Sequence, residues 1–129
     1  MSIESDLRTF LLQSMTLEGL IASRLYYQKA PQEVIKPYVV YMTLSDPNTK
    51  TLVGSDGADP TISFRIVAQD ITGMIAISEA IRTKIIDYTG MIGAIDIYRI
   101  ECENIRDFPP ETETDFFERY CDYRVLYER

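Results

Sequence analysis

The chain predicts an α+β fold: a mainly antiparallel sheet of about four strands, a main helix packed on one face, and an N-terminal helix. Three observations carry this. Phe116 to Tyr127 alternates, with Cys121, Tyr123, Val125 and Tyr127 on one side and Glu118, Tyr120, Asp122 and Arg124 on the other. A pleated backbone sends successive side chains to opposite faces, so this closing strand has one buried face. Between residues 72 and 88, Met74, Ile77, Ile81, Ile85 and Tyr88 recur at spacings of three and four. With Ile75 and Ala80 the stripe exceeds about 100°, wide enough to cover a sheet. The order helix, strand, strand, helix, strand, strand, with turn-rich loops inside each strand pair, makes the sheet antiparallel.

Each element has its own local reason. Residues 2 to 14 read as a helix: Ser2 caps it, Glu4 and Asp6 suit its positive end, and Ile3, Leu7, Phe10 and Leu11 form one stripe. Thr16 to Leu20 reads as a turn or half-helix, with Gly19 arguing against anything longer. Ile21 to Tyr27 leaves room for a short edge strand, and Ala30 to Pro37 is a connector fixed by Pro31 and Pro37. Tyr38 to Leu44 is a strand, rich in the β-branched and aromatic residues that pack well on a pleated surface. Ser45 to Pro60 is a long hairpin loop carrying Asp46-Pro47, Gly54, Asp56-Gly57 and Asp59-Pro60.

The return strand, Thr61 to Gln69, sets Ile62, Phe64, Ile66 and Ala68 against Thr61, Ser63, Arg65 and Gln69. Gly90 sits where a cap for the main helix belongs. Ile95 to Arg106 is the next strand, with Tyr98, Ile100 and Cys102 opposite in parity to Arg99, Glu101 and Glu103. Asp107 to Thr114 is an acidic hairpin loop. One domain over residues 1–129 is expected, since a chain of this length buries about two thirds of its unfolded surface.

Composition narrows function by exclusion. Twenty acidic against 13 basic residues give a net charge of −7, and the basic residues are spread singly along the chain. Sequence-independent nucleic-acid binding needs clustered Lys and Arg, so it is disfavoured. The chain has no histidine, which removes the commonest general base near neutral pH and the commonest metal ligand. The N-terminus carries Glu4 and Asp6 where a signal peptide needs positive charge, and no apolar run approaches a membrane span. The expected compartment is the cytoplasm in which the chain is made.

The candidate sites are weak as chemistry. Cys102 and Cys121 fall opposite each other if the last hairpin is centred near residues 111 and 112, which invites a disulfide. Two reduced core thiols are the preferred reading in a cytosolic chain. Two cysteines without histidine fall short of a zinc set. Glu101, Glu103, Glu111, Glu113, Asp115 and Glu118 concentrate acid around one hairpin, yet they lie on outward strand faces and in a loop, where carboxylates are simply hydrated. No catalytic residue, cofactor or metal is expected. The nine tyrosines, flanked by Arg and Glu on strands, suit a protein–protein surface as well as a core.

Ala30-Pro31, then Pro37-Tyr38-Val39-Val40-Tyr41, a polar loop, a strand, an Ala/Ile helix ending near Asp87-Tyr88, and the closing Asp122-Tyr123-Arg124-Val125-Leu126-Tyr127 form a familiar layout. It resembles the tail-completion proteins (tail terminators, tail-to-head joining proteins) of long-tailed bacteriophages and prophages, over about Leu7 to Tyr127. Many members have Trp where Leu126 stands. The resemblance implies a non-enzymatic role as a self-assembled, six-fold ring on the tail tube. Such a ring stops polymerisation of the tube protein and docks the head–tail connector protein, with DNA passing through without specific binding. The location implied is the tail and neck region of the virion, assembled in the host cytoplasm with no membrane involved.

On that reading the two loops and the outward strand face supply the interface: Asp46, Lys50, Asp56, Asp59, Arg106, Glu111, Glu113, Tyr120, Asp122 and Arg124. Two rival readings stand beside it. One is a neck or head-completion protein on the connector side; the other is a small-molecule-binding regulatory α+β domain.

Overall fold

The computed structural model describes residues 3–33, 35–44, 61–93, 95–108 and 116–128. Three helices, α1 (Ile3–Leu12), α2 (Met15–Ile21) and α3 (Ile71–Ile85), pack on one face of a sheet. The strands are β1 (Leu25–Tyr27), β2 (Tyr38–Leu44), β3 (Thr61–Ala68), β4 (Gly90–Ile92), β5 (Ile95–Phe108) and β6 (Phe117–Glu128). Their order is β1-β2-β3-β6-β5-β4, six strands where about four were expected. The two added strands are three-residue edges, too short to leave a period-two signal. One of them, β1, runs parallel to β2, so the sheet is mixed; the other described pairings are antiparallel.

Local chemistry explains the helix ends. Ser14 caps α2, its Oγ accepting from the Leu17 N–H at 3.2 Å, and Ala22 closes the helix in the left-handed region. The expected half-helix is therefore a full two-turn element, because capping and two buried residues, Leu17 and Ile21, outweigh the entropic cost of Gly19. Asp70 caps α3 by accepting from Gly73 N–H at 2.6 Å, two residues before the expected start. At the far end Ile86 is the cap, and Gly90 opens β4 instead of ending the helix. Glycine is required there for its φ of +134°, and at Gly93 for a φ of +62° and because a Cβ would collide with the Asp6 carboxylate.

The core follows parity. Val39 and Tyr41, then Ile62, Phe64 and Ile66, then Cys121, Tyr123 and Val125 are all buried beneath Leu7, Leu11, Met74, Ile77 and Ile81. Tyr41 stacks near Phe64, which meets Tyr123 edge-on at 5.8 Å, so one aromatic row crosses three strands.

Strand β5 departs from simple alternation. Its register with β6 shifts between Ile97 and Arg99 and again between Cys102 and Asn104. Each bulge adds one residue and reverses the parity beyond it. Tyr98, expected beside Ile100 on the core side, is 53% exposed, and Ile97 takes the buried position. Cys102 lies opposite Tyr123 and Cys121 opposite Ile105, because Phe108 faces Glu118 at the loop end, three residues on from the expected register; the two thiols do not face each other and both are free. On β3, Val67 and not Gln69 completes the second face, buried with Tyr38 and Val40 in a small cluster against Ala30 and Phe116. The 30–37 connector thus folds over one end of the face that the helices leave open.

Candidate assembly surface

The second face of the sheet forms rungs across four strands. Val40, Arg65, Tyr120 and Arg106 form one; Met42, Ser63, Asp122 and Asn104 the next; Leu44, Thr61, Arg124 and Glu101 the third. No described helix packs on these rungs. Side chains of neighbouring strands pair across this face instead.

Arg65 Nε lies 2.6 Å from Glu118 Oε2, joining β3 to β6. Burial lowers the Arg65 pKa, but the hydrogen bond and charge of Glu118 outweigh it, so the guanidinium is held above its ordinary value. Arg106 reaches Asp122 at 3.5 Å and lies over the Tyr120 ring, 5.4 Å from its centroid. Phe108 meets the same ring edge-on at 5.2 Å. Tyr120 is therefore held between a cation and an aromatic, geometry that fixes its rotamer before any partner arrives. The second carboxylate oxygen of Asp122 is buried and takes no hydrogen bond among the described residues.

Further along, Arg99 pairs with Glu101 at 3.0 Å, and Glu103, displaced by the bulge, accepts from Thr61 Oγ1 at 3.0 Å. The rungs and the residues beside them thus carry four arginines (65, 99, 106, 124) and four carboxylates (101, 103, 118, 122), and Asp96, paired in register with Glu128, adds acid at the β4 end of the same face. Met42, Leu44 and Phe108, each about two-fifths exposed, add apolar surface. Arginine and tyrosine with scattered apolar groups are the composition enriched at protein–protein contacts.

Of the residues read from the sequence as interface, Arg106, Tyr120, Asp122 and Arg124 do come together here. Asp46, Lys50, Asp56, Asp59, Glu111 and Glu113 lie outside the described residues. The sequence reading did not select Arg65 or Phe108. Parity had already placed Arg65 outward, but its partner Glu118 belongs to β6, and only the strand order makes them neighbours. Of the acidic concentration, Glu101, Glu103 and Glu118 each have a partner, and Glu111, Glu113 and Asp115 lie outside the described residues. Among the described residues no group of three or more acids or cysteines is placed to hold a metal ion, and no helix is long and apolar enough to cross a membrane.

The helix-covered face carries a polar cluster at the far part of the β5–β6 hairpin. Arg119 makes two bonds to Asp107, at 2.6 and 3.0 Å, and donates to Ser78 Oγ of α3 at 3.1 Å. The bond from Arg119 holds the Asp107 carboxyl below its usual range. Ser78 and the Cys121 thiol stand 3.7 Å apart, and burial pushes that thiol up. This cluster ties the far part of the β5–β6 hairpin to the helical layer.

Among solved structures, a chain in "Virion of native gene transfer agent (GTA) particle" is similar to this one, with a TM-score of 0.66 and 12% identity over 99% of this chain and 98% of that one. At that identity the likeness establishes the fold. No curated protein matches the chain. The class is thus an α+β module with described helices on one side of its sheet, on a fold that also occurs in a virion particle. The chain belongs to the family described as Tail completion protein gp17, whose model matches residues 5–128. It is a structural tail protein of the phage type.

Proposed function

We propose that the protein, acting as one domain over residues 1–129, terminates the tail. Copies form a ring, hexameric on this reading, on the end of the tube, stop addition of tube subunits and present the surface on which the head–tail connector docks. Its work is contact, with no substrate transformed and no cofactor, in the tail and neck of a virion assembled in the host cytoplasm. The observation that supports this best is the open sheet face, where Arg106, Tyr120 and Phe108 are locked together and Glu101, Glu103, Glu118 and Asp122 each have a partner. A pre-ordered face of this kind suits a protein partner. An acidic remainder lets DNA pass a ring's bore without sticking.

Negative-stain images of the purified protein, alone and with tail tubes, test the proposal. Rings seated on tube ends, and tubes that stop at uniform length, are the expected result. Tubes that grow and join heads normally without this protein would overturn it. In the same assay, replacing Asp46, Asp56 and Asp59 by Ala tests the first loop as a contact: the fold should survive and joining should fall.

A further inference from the structure

The two edges of the sheet are finished differently. Along a strand, successive residues turn their backbone groups to opposite sides. In β1, Arg24 C=O receives Val39 N–H at 3.0 Å and Gln28 N–H donates to Tyr41 C=O at 2.8 Å. The groups of Leu25 and Tyr27 therefore point away from β2, at the outer edge. Such an edge is a template for another strand unless something occupies it. Here Leu25 N–H donates to Ser23 C=O at 2.8 Å, and Tyr27 C=O accepts from Lys29 N–H at 2.8 Å. Leu25 C=O is taken from outside the strand: Arg8 of α1 donates to it through Nε at 2.9 Å, and to Ser23 C=O through Nη2 at 3.2 Å.

Arginine suits this place for two reasons: its rigid fork reaches two carbonyls at once, and it carries donors only. An incoming strand finds the carbonyls of Leu25 and Ser23 already bonded, and meets a cation there. Arg8 joins none of the ion pairs among the described residues, so its donors are spent on backbone. Leu7 and Leu11, almost fully buried, fix α1 on the core and so deliver Arg8 to the edge. The backbone it holds is a costly one. Ala22 and Ser23 are both left-handed, at φ of 49° and 67°, a conformation that glycine alone adopts freely. Such geometry persists where surrounding contacts hold it. The far edge has no counterpart. There β4 covers Ile95 to Ile97 of β5, Asp87 N–H reaches Ile100 C=O at 3.0 Å, and among the described residues no strand lies along Glu101 to Phe108.

We infer that Arg8 guards the β1 edge against strand addition by a second copy of the chain. One open edge per copy can pair only with its like. A second open edge would let unlike edges meet, and contacts between unlike surfaces propagate from copy to copy. The guard closes that route and leaves the open edge on β5 alone among the described residues. The inference goes beyond the tail-capping reading and does not depend on it.

Arg8→Met, which keeps an unbranched stem and removes the donors, tests this in the absence of tail tubes. Sedimentation velocity over a concentration series should show self-association roughly tenfold tighter than in the unaltered protein, the scale of one net hydrogen bond freed at the edge. Hydrogen exchange places the contact: the Tyr27 amide should gain protection as Arg8→Met is concentrated, and show no such change in the unaltered protein. Unchanged association in a folded Arg8→Met overturns the inference. Tighter association without added protection at Tyr27 overturns it too, since another surface is then responsible. A lowered melting point alone, with exchange faster throughout and independent of concentration, makes Arg8 a structural tie and no guard. If Arg8→Met does not fold, Arg8→Lys takes its place under the same readings, with the charge kept, the fork lost and a smaller rise expected. Rings that form through another interface appear in both proteins, so the success or failure of capping leaves this result unaffected.

Discussion

The same four strands, β2, β3, β6 and β5, build two faces that solve different problems. On the helix side, Phe64 and Tyr123 are almost fully buried and held by packing in all directions. On the open side, Arg65 and Tyr120 on the same two strands keep part of their surface and are held by one ion pair, one cation–π contact and one aromatic edge. Apolar burial stabilises whatever the solvent does, at about 25 cal/mol per Å². Exposed ion pairs contribute about 0–1 kcal/mol each, so their value here is to fix side chains in place. The first face makes the fold; the second is shaped to be used.

Substitutions should separate the two in that order of size. Phe64→Ala opens a cavity under α3 and should cost about 3–5 kcal/mol, read as a lowered denaturant midpoint. Equal stability in that variant would mean the aromatic row is not the core. Tyr120→Ala should cost only about 1 kcal/mol of stability, the scale of one aromatic pair. Its effect belongs in assembly instead, where truncating a central Tyr typically weakens association by about 2 kcal/mol, roughly thirtyfold. If Tyr120→Ala costs as much stability as Phe64→Ala and leaves ring formation unchanged, the division between faces is wrong.

Asp70→Ala probes the helical layer alone: loss of the Gly73 bond should lower stability by about 1 kcal/mol and leave assembly untouched. The Asp107–Arg119 bridge is smaller still, and its sign follows from the depressed carboxyl. A group whose pKa falls on folding stabilises above its unfolded value and loses that stabilisation as pH drops through the folded value. The gain should therefore be present at neutral pH and vanish in the acid range below about 4, and Asp107→Asn should abolish that part of the pH dependence. Carboxyl NMR of Asp107 would check the direction. Smallest of all is a difference in rate. Cys102, half-buried, should react with a maleimide before Cys121, whose thiol is 1% exposed and pushed up by burial.

Much of this was legible beforehand. Period two in β3 and β6 fixed which residues face inward, since that depends only on the local pleat, and Cys121, Tyr123 and Val125 are buried as expected. The spacing of Met74, Ile77, Ile81 and Ile85 gave α3 for the same reason. Errors came where alternation is interrupted. A bulge in β5 turned Tyr98 outward, and the register set at the loop end, where Phe108 faces Glu118, left Cys102 opposite Tyr123 and not Cys121. Three-residue edges carry no period, so β4 was missed, and Gly90 was read as a cap when its φ serves a strand. Of the contact face, the β6 half was visible and the β3 half was not, because Arg65 and Glu118 are 53 residues apart.

The sequence alone decided the alternation of faces, the amphipathic stripe of α3 and the acidic balance, since each is a local or summed property of the chain. The tertiary structure decided the strand order, the bulges and the ion pairs that cross the open face. Those depend on which distant segments become neighbours, and pairing between strands is set by the packing of the whole core and not by any one stretch of residues.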